Sequence, residues 1–536
     1  MSDVIFNPLE EYESKYKHLH LENTNQYLNQ LVQQSGVNIE QNRATVRQYN
    51  ERKENLSKLR TKFNWMRFLR VVMILTILLI PLVILKITPR IQAMRADIAD
   101  GDKKVAELLA EAQRQMYPLN CLFTDRDALN LIEKTLPLMG FENCFSAKQE
   151  ADMTINYNFC GNDDIEQSTL DVLAGHYNEN PFLFENRLIH TMGTETYHGY
   201  KTIFWTETYT DSEGHVRTRT RSQTLHASVV KPKPYYSTQV VLHYCTQGGP
   251  ELSFSRQATH LEQKSDKEIE RFVKQGEKRI KKMTDKAIKN GSDFMGMSNA
   301  QFEVLFNALD RTHEVQFRSL FTPLAQTNMV SLIRSKVGYG DDFTFIKRNR
   351  SNKIVSEHSQ GRVINLLAGQ YPSYSFDIIR DNFVGKNTDF FKAVYFDFAP
   401  LLAIPLYQER PVHSLQPIPD LAQTYSLQEC EALANAVDAS YVVHPDTKTR
   451  AILKSQHMGS YNGVDETRIT AYSYDIALRV DFIPVLGGDG HLHSVPVEWN
   501  EYLPLEAYHH FYVSAAKAAP NQNVIANRNG LCMCNF

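Results

Sequence analysis

The sequence predicts an α+β protein with N-terminal helices, one transmembrane helix, a helical stalk, and then two or three mixed units with antiparallel sheets. Three observations support this prediction: a long apolar run near the front of the chain, two segments with heptad spacing, and many short alternating segments bounded by turn residues. The chain has 536 residues. This is too long for one ordinary core, so several folded units are expected.

The composition is that of a globular protein. Charged residues make up 22% of the chain and hydrophobic residues 42%, which excludes a disordered or polytopic protein. The formal net charge of −3 gives no basic footprint, so no nucleic-acid partner is predicted. The seven cysteines are odd in number and irregularly spaced, which argues against a complete disulfide framework. A reducing compartment, or one or two bridges with free thiols left over, would fit.

Residues 1–64 are predicted to form a polar helical region, broken near Ser35–Val37. The first residues lack the basic and apolar regions of a cleaved signal peptide.

The stretch "RFLRVVMILTILLIPLVILKITPR" contains the longest apolar run, Val71–Leu85, in which Thr76 is the only polar side chain. As a helix this run would measure about 22 Å, which is less than a hydrocarbon layer of about 30 Å. Aromatic and basic flanks extend the helix, and from Trp65 to Ile87 it would reach about 34 Å. We therefore predict a transmembrane helix over 65–88, with a lipid bilayer as partner. Its marker residues are Trp65, Val71, Leu78, Pro81 and Leu85.

Two alternatives to a single span remain open. One is a buried core helix, and the other is a re-entrant hairpin bent at Pro81, which lacks the amide hydrogen that would close the preceding turn. For a single-pass protein, the excess of basic residues before the run places the N-terminus in the cytosol and the C-terminal domains outside. The seven cysteines oppose an exterior location, so the side that carries residues 89–536 stays open.

Two helical segments show heptad spacing. The first is the predicted stalk, 89–116, and the second is a basic helix, 261–291. We hypothesise that they pair to lift the folded units off the bilayer, and that their seams could mediate self-association or binding of a protein partner. The alternative is that each helix lies on its own domain. The seam residues are Ile91, Met94, Ile98, Val105, Leu108 and Ala112 in the first, and Ile269, Val273, Gly276, Ile280, Met283 and Ala287 in the second.

The rest of the chain is assigned to three α+β units, 117–260, 292–425 and 426–513, followed by a tail, 514–536. Within the first unit, "TYTDSEGHV" is typical of a hairpin loop, because Asp211 favours turns and Gly214 accepts a positive φ. The order of helix, strands and Asp-Gly-type hairpin after Ser426 is similar to that of residues 124–230. Sequence identity between the two segments is too low to establish a duplication.

No phosphate loop, dinucleotide fingerprint, nucleophile elbow, HExxH or CxxC pair is present, so no catalytic residue, cofactor or metal is assigned. His491 and His493 alternate on one predicted strand and, with Asp489, could bind a metal. Solvent-facing hairpin histidines are the plainer interpretation.

The most informative polar pattern is "VRTRTRS". Arg217, Arg219 and Arg221 lie two residues apart, so a strand would present all three guanidinium groups on one face. Such a ladder could bind phosphate, an acidic polysaccharide or anionic lipid headgroups. The alternative is a solvated face that is partly neutralised across the hairpin by Glu207, if the strand register allows.

The segment "NAQFEVLFNALDRTHEVQFRSLFTPLAQTNMVSLI", within residues 299–350, resembles a signature of an uncharacterised family of bacterial membrane-anchored proteins. The matching positions are Phe302, Phe306, Arg318, Thr322 and Pro323. The acidic residues that this family carries just before the arginine are replaced here by His313 and Gln316. The resemblance implies an anchored bacterial protein and assigns no activity. Members of the family usually look doubly spanning with a cytosolic soluble part, which opposes the single-pass topology.

The anchor, the two seams and the lack of a catalytic signature favour a membrane-anchored protein that works by binding, as a scaffold or a sensor. Two alternatives stay open. One is an anchored hydrolase whose site is assembled from distant segments, with His313, Glu314, His491 and His493 as candidates. The other is an anionic lipid- or glycan-binding module that uses the arginine ladder.

Overall fold

The computed structural model describes residues 4–75, 86–161, 164–291, 294–412, 416–515, 524–528 and 531–535. The protein is mixed α and β, and its sheets are antiparallel, as predicted. The chain separates into two compact units. A helical unit contains Leu9–Pro137 and Asn365–Phe396, and a sheet unit contains Ser2–Pro8, Leu138–Ile364 and Asp397–Phe536.

The helices of the described chain are, in order, α1 Pro8–Glu11, α2 Lys17–Ser35, α3 Ile39–Leu75, α4 Thr88–Asn120, α5 Asp127–Thr135, α6 Ala147–Tyr157, α7 Asp266–Asn290, α8 Ala300–Phe306, α9 Glu314–Leu320, α10 Pro323–Arg334, α11 Phe376–Leu402 and α12 Leu427–Asn435. A π-helical segment, Tyr12–Tyr16, joins α1 to α2.

The strands are β1 Met139–Phe141, β2 Gln167–Tyr177, β3 Asn180–Thr210, β4 Val216–Cys245, β5 Ser253–Arg256, β6 Phe343–Arg348, β7 Ser351–Ser356, β8 Ile452–Tyr461, β9 Val464–Leu486, β10 Leu492–Ala515, β11 Val524–Arg528 and β12 Leu531–Asn535. They form a seven-stranded sheet in the order β1-β2-β3-β4-β7-β6-β5 and a five-stranded sheet in the order β11-β12-β10-β9-β8.

The helical unit is built around the antiparallel pair α3 and α4. The predicted break after α2 is confirmed, because Gly36 adopts φ 65° and its N–H bonds the carbonyl oxygen of Val32 at 3.2 Å. Leu56 of α3 packs on Gly101, where a β-carbon would lie 2.8 Å from the Leu56 side chain. Close approach at this glycine lets the two helices lie side by side along most of their length.

The two flanks of the apolar run also lie side by side. Phe63, Met66 and Met73 pack against the buried Ile87 and Ile91. One straight helix would separate Phe63 from Ile91 by about 42 Å, so these contacts are incompatible with the straight helix predicted from Trp65 to Ile87. Within the described residues, no helix combines the length and the apolar character that crossing a membrane requires.

The predicted anchor residues divide into two groups. Trp65 and Val71 lie on α3 with 61% and 59% of their surface exposed. Leu78, Pro81 and Leu85 lie outside the described residues.

Each heptad seam packs within its own unit. In the helical unit, α4 lies on α3, through Ile91 and Gly101. In the sheet unit, α7 lies on α8, and a β-carbon at Gly276 would overlap Val304. These contacts correspond to the alternative in which each helix lies on its own domain. The predicted pairing of the two helices in a stalk is therefore wrong.

The sheet unit joins segments that the sequence assigned to separate domains. β4 of the predicted unit 117–260 pairs with β7 of the predicted unit 292–425, from Leu242 opposite Ile354 to Cys245 opposite Ser351. The predicted tail contributes β12, whose Cys532 to Cys534 are buried beside β10. All seven cysteines are free thiols.

Two segments of the sheet unit share one plan. The first repeat, 146–245, and the second repeat, 426–515, each consist of a helix capped by a serine and three antiparallel strands. The first strand turns into the second through two positive-φ residues, Asn178–Glu179 in one repeat and Asn462–Gly463 in the other. The similarity of order noted in the sequence therefore has a structural counterpart.

The loop between the two long strands is also the same in both repeats. Each loop has five residues, Asp211 to His215 and Gly487 to His491. In each, the first N–H bonds the fifth carbonyl and the fourth N–H bonds the first carbonyl. The fourth residue is a glycine at φ 86° or 79°.

The residues that precede the two helices pair with each other, Ser146 opposite Tyr425. Ala147 N–H bonds the Thr424 carbonyl at 3.1 Å, and Ser426 N–H bonds the Phe145 carbonyl at 3.1 Å. The two bonds form one short antiparallel bridge that links the repeats at the start of their helices.

The long hairpins of the two repeats pack face to face. Ile203, Leu225 and Ala227 of the β3–β4 hairpin form a buried cluster with Val495 and Val497 of the β9–β10 hairpin. Gly199 lies at the contact, where a β-carbon would overlap the Pro496 carbonyl oxygen. A side chain at this position would separate the hairpins.

Candidate functional site

The candidate site is a pocket of about 290 Å³ at the junction of the repeats, which we call the His190 pocket. The first repeat supplies His190 and Tyr236 from its long strands, together with Glu166 from just before β2. The second repeat supplies tyrosines from β9 and a glutamate from β10. The side chains that matter for its chemistry are Glu166, His190, Tyr236, Tyr472, Tyr474 and Glu506.

Strand pairing places Glu166 beside His190. The backbone N–H of His190 bonds the Glu166 carbonyl at 2.8 Å, which extends the β2–β3 ladder by one step. The side chains then meet, and His190 Nδ1 bonds Glu166 Oε2. The carboxylate oxygen accepts this bond, so the hydrogen lies on Nδ1. His190 is only 6% exposed, and its Nε2 has no hydrogen-bond partner among the described residues.

Two tyrosine rings lie beside the imidazole, one from each repeat. Tyr236 is directly opposite His190 across β3 and β4, with ring centroids 5.3 Å apart. Tyr474 of β9 lies 5.6 Å from His190. Thr449 ties the repeats together here, because its Oγ1 accepts from the Tyr236 hydroxyl at 3.2 Å and from the Tyr474 N–H at 3.0 Å.

Two phenols of the pocket, Tyr236 and Tyr474, have pKa values raised above the ordinary value for tyrosine. Burial raises the pKa of Tyr236, although the hydroxyl of Thr449 and the charge of Arg450 lower it. Burial also raises the pKa of Tyr474, and the charge of Glu166 adds to this effect. The rings therefore present aromatic faces and hydroxyl groups rather than phenolate charge.

The pocket has acidic and aromatic walls. Glu166 and Glu506 are exposed, so their carboxylates lie at the rim. Among the described side chains that line the pocket, none is a lysine or an arginine. Ser473 could supply a hydroxyl nucleophile, but its Oγ shares a hydrogen bond of 2.8 Å with Thr447 rather than with His190. The arrangement is suited to holding a ligand and provides no activated nucleophile.

The predicted arginine ladder lies on β4, where the register places Glu207 opposite Arg219. Glu207 Oε2 accepts from Arg219 at 3.0 Å and from Arg221 at 2.9 Å, while Arg217 bonds Asp211 at 2.7 Å. These contacts match the alternative of a face that is neutralised across the hairpin.

The histidines considered for a hydrolase or a metal site do not form one cluster. His493 bonds Asp489 at 2.9 Å within its own hairpin loop. Glu314 bonds Arg311 at 2.8 Å, and His313 bonds Thr312 at 3.0 Å. In the part of the chain that the structure describes, no group of three or more His, Cys, Asp or Glu side chains is arranged to hold a metal ion.

The His190 pocket was missed by the sequence analysis. Its residues come from segments as far apart in the sequence as Glu166 and Glu506, and they follow no local motif. The only usable signal is the repeated plan, because His190 and Tyr474 are each twelve residues after the first asparagine of their turns, Asn178 and Asn462. Aligning the turns would have placed the two rings at equivalent positions.

No family model, curated protein or solved structure matches this chain. The resemblance of residues 299–350 to the uncharacterised membrane-anchored family therefore stays a prediction.

Proposed function

We propose that this chain is a membrane-attached binding protein whose ligand occupies the His190 pocket. The observation that carries this proposal is the pocket itself, in which a buried imidazole nitrogen without a described partner lies beside two tyrosine rings. Buried polar groups in proteins are nearly always hydrogen-bonded, so an uncompensated one in a pocket wall indicates a place for a ligand. The missing nucleophile favours binding over covalent catalysis.

Membrane attachment is supported by the sequence of the apolar run and by its described flank on α3. Trp65, Phe68 and Val71 are each 59% to 67% exposed. Such a group of large apolar side chains is unusual on a water-facing helix and suits a headgroup boundary. Basic residues among them, such as Arg67 and Arg70, favour anionic lipid headgroups.

The packing of the flanks modifies the proposed topology. Arg60 of α3 bonds Asp102 of α4 at 2.6 Å, and Phe63 packs with Ile91. Since α3 and α4 run side by side, both helices belong on the same membrane face. We therefore propose attachment at one face of the membrane in place of a single span.

Two introduced cysteines test this topology. Lys58 on α3 and Lys103 on α4 are both exposed, at neighbouring levels of the helix pair. In a background without the seven native cysteines, Lys58→Cys and Lys103→Cys should react with a membrane-impermeant maleimide from the same side of sealed vesicles. Labelling from opposite sides would restore the single span.

Vesicle flotation tests attachment itself. The full chain should float with vesicles that contain anionic lipid, and Leu78→Glu should abolish flotation because a carboxylate in hydrocarbon is costly. Phe204→Glu is the control, since Phe204 is an exposed apolar side chain on β3, far from the apolar run in sequence. A full chain that stays in the aqueous fraction would overturn membrane attachment and leave the pocket unaffected.

A further inference from the structure

We infer that the His190 pocket takes a small organic cation, that is, a protonated or quaternary amine. This inference rests on the proposed binding function and names its ligand class. Ammonium groups bind in proteins on the faces of aromatic rings, with carboxylates nearby. The pocket offers both, with three tyrosines and two glutamates among its described lining residues.

The charges of the pocket favour a cation over an anion. Glu166 and Glu506 are the acidic lining residues, and no lysine or arginine is found among the described lining side chains. Arg450 acts on the pKa of Tyr236 but is exposed and does not line the pocket. A carboxylate or phosphate would meet two like charges, whereas an ammonium group would complement them.

The hydrogen-bonding state of His190 is consistent with the same ligand class. In the neutral tautomer that donates from Nδ1 to Glu166, the imidazole carries an acceptor at Nε2, which has no partner among the described residues. A protonated primary or secondary amine carries N–H donors for this nitrogen, while a quaternary amine would rely on the rings alone.

The same pair of hairpins already holds one ammonium group in this manner. Lys231 Nζ lies 4.0 Å from the centroid of the Trp499 ring and 2.7 Å from Asp481 Oδ2. Lys231 belongs to the first repeat, and Trp499 and Asp481 belong to the second. An ammonium group at the junction of the repeats thus contacts both an aromatic ring and a carboxylate.

Choline and its neutral isostere 3,3-dimethylbutanol provide the test, with ethylamine as the protonated amine. The full chain is titrated with each by calorimetry or by NMR. We expect both cations to bind at least about ten-fold more tightly than the isostere, because only a cation gains from the rings and the carboxylates. The affinity should fall as salt is added, since Glu166 and Glu506 lie at the exposed rim.

A matched pair of tyrosine variants locates the binding. Tyr235 and Tyr236 are neighbours on β4 whose side chains point to opposite faces of the sheet. Tyr236→Leu should weaken cation binding about ten-fold, while Tyr235→Leu should leave it unchanged. Glu166→Gln should weaken binding as well. Equal losses in the two tyrosine variants would show that the cation binds elsewhere and would overturn the inference.

The same titrations distinguish a free amine from a lipid headgroup. They also distinguish failure of the cation inference from failure of the proposed binding function. Phosphocholine should bind more weakly than choline, because its phosphate would face the two glutamates; tighter binding would indicate a lipid headgroup. If the neutral isostere or an anion such as acetate binds better than the cations, with dependence on Tyr236, the cation class is wrong and the pocket function stands. If no probe binds, both are wrong.

Discussion

In the first repeat, His190 lies on β3 with Glu166 on one side and Tyr236 on the other. Counted from the first turn, the second repeat carries Tyr474 at the position of His190 and Arg450 at the position of Glu166. Pro504 is opposite Tyr474, where the first repeat has Tyr236. At equivalent positions, the first repeat thus presents a hydrogen-bonded carboxylate–imidazole pair and the second presents an aromatic ring.

This difference shows how two segments of similar plan can form an asymmetric site. In a symmetric dimer, a ligand on the axis meets two identical surfaces. Here the turns and the hydrogen bonds of the long hairpin loops are alike in the two repeats, while the residues that each repeat brings to the pocket differ.

The largest expected effect comes from breaking the ionic link between the repeats. Arg528 bonds Asp171 of the first repeat and Glu429 of the second, the latter at 2.9 Å, and Glu429 is only 1% exposed. Arg528→Met would leave a buried carboxylate unpaired, so the free energy of unfolding should fall by about 3 to 5 kcal/mol. Urea denaturation measures this.

An exposed pair within a single repeat is the control for that variant. Arg479 and Glu501 are 2.7 Å apart, with 55% of the Arg479 side chain exposed. Arg479→Met should change the free energy of unfolding by less than about 1 kcal/mol. Similar losses in the two variants would mean that Arg528 does not act as a buried link between the repeats.

A second carboxylate at the same junction makes stability depend on pH. Glu431 bonds the Thr169 N–H and Lys454, and burial raises the pKa of Glu431 to about 7, above its ordinary value of 4.5, despite Lys454. Between these two values the folded state binds more protons than the unfolded state, so stability falls as pH rises. The stabilising contribution of protonated Glu431 is fully present below pH 4.5 and is lost above about pH 7.

Glu431→Gln should remove this dependence. Across pH 4.5 to 7, the difference in free energy of unfolding between wild type and variant should change by about 3 kcal/mol, in favour of the variant at the higher pH. Denaturation at four pH values provides the measurement. If the free energy of unfolding changes with pH in the same way in wild type and variant, the raised pKa of Glu431 is wrong.

The sequence predicted the parts of each repeat that depend on local chemistry. The loop "TYTDSEGHV" closes as a hairpin with Thr210 opposite Val216, and the arginines of β4 share one face. Both follow from short-range rules, namely the two-residue period of strands and the positive φ of Gly214.

The pairing of the repeats and the course of the apolar run could not be predicted in this way. Alternation fixes which face a side chain occupies but not which distant segment covers that face. In the same way, the apolar run is uniform in composition, and only the contact of Phe63 and Met73 with Ile87 shows that its flanks lie together. The His190 pocket also depends on non-local contacts, because its residues come from both repeats.

A smaller effect is expected where the hairpins of the two repeats touch. Gly199→Ala would place a methyl group against the Pro496 carbonyl, and overpacking of this kind should cost about 2 kcal/mol. Gly459→Ala in β8 is the matched control, since no atom lies within 4 Å of its added β-carbon. If both variants unfold at the same denaturant concentration as wild type, the contact between the hairpins is looser than described.

The smallest effect is expected in the two hairpin loops, which lie outside the pocket. Variants there test whether the repeats are equivalent away from the ligand. Gly214 and Gly490 occupy the same loop position at φ 86° and 79°, and an added β-carbon meets no atom within 4 Å at either. Only backbone strain is then introduced, so Gly214→Ala and Gly490→Ala should each cost about 1 kcal/mol, measured by thermal unfolding. Because no packing term enters, a clear inequality between them could arise only from the hairpins themselves. Such an inequality would mean that similar loops close ribbons of different stability, and that the divergence of the repeats extends beyond the pocket.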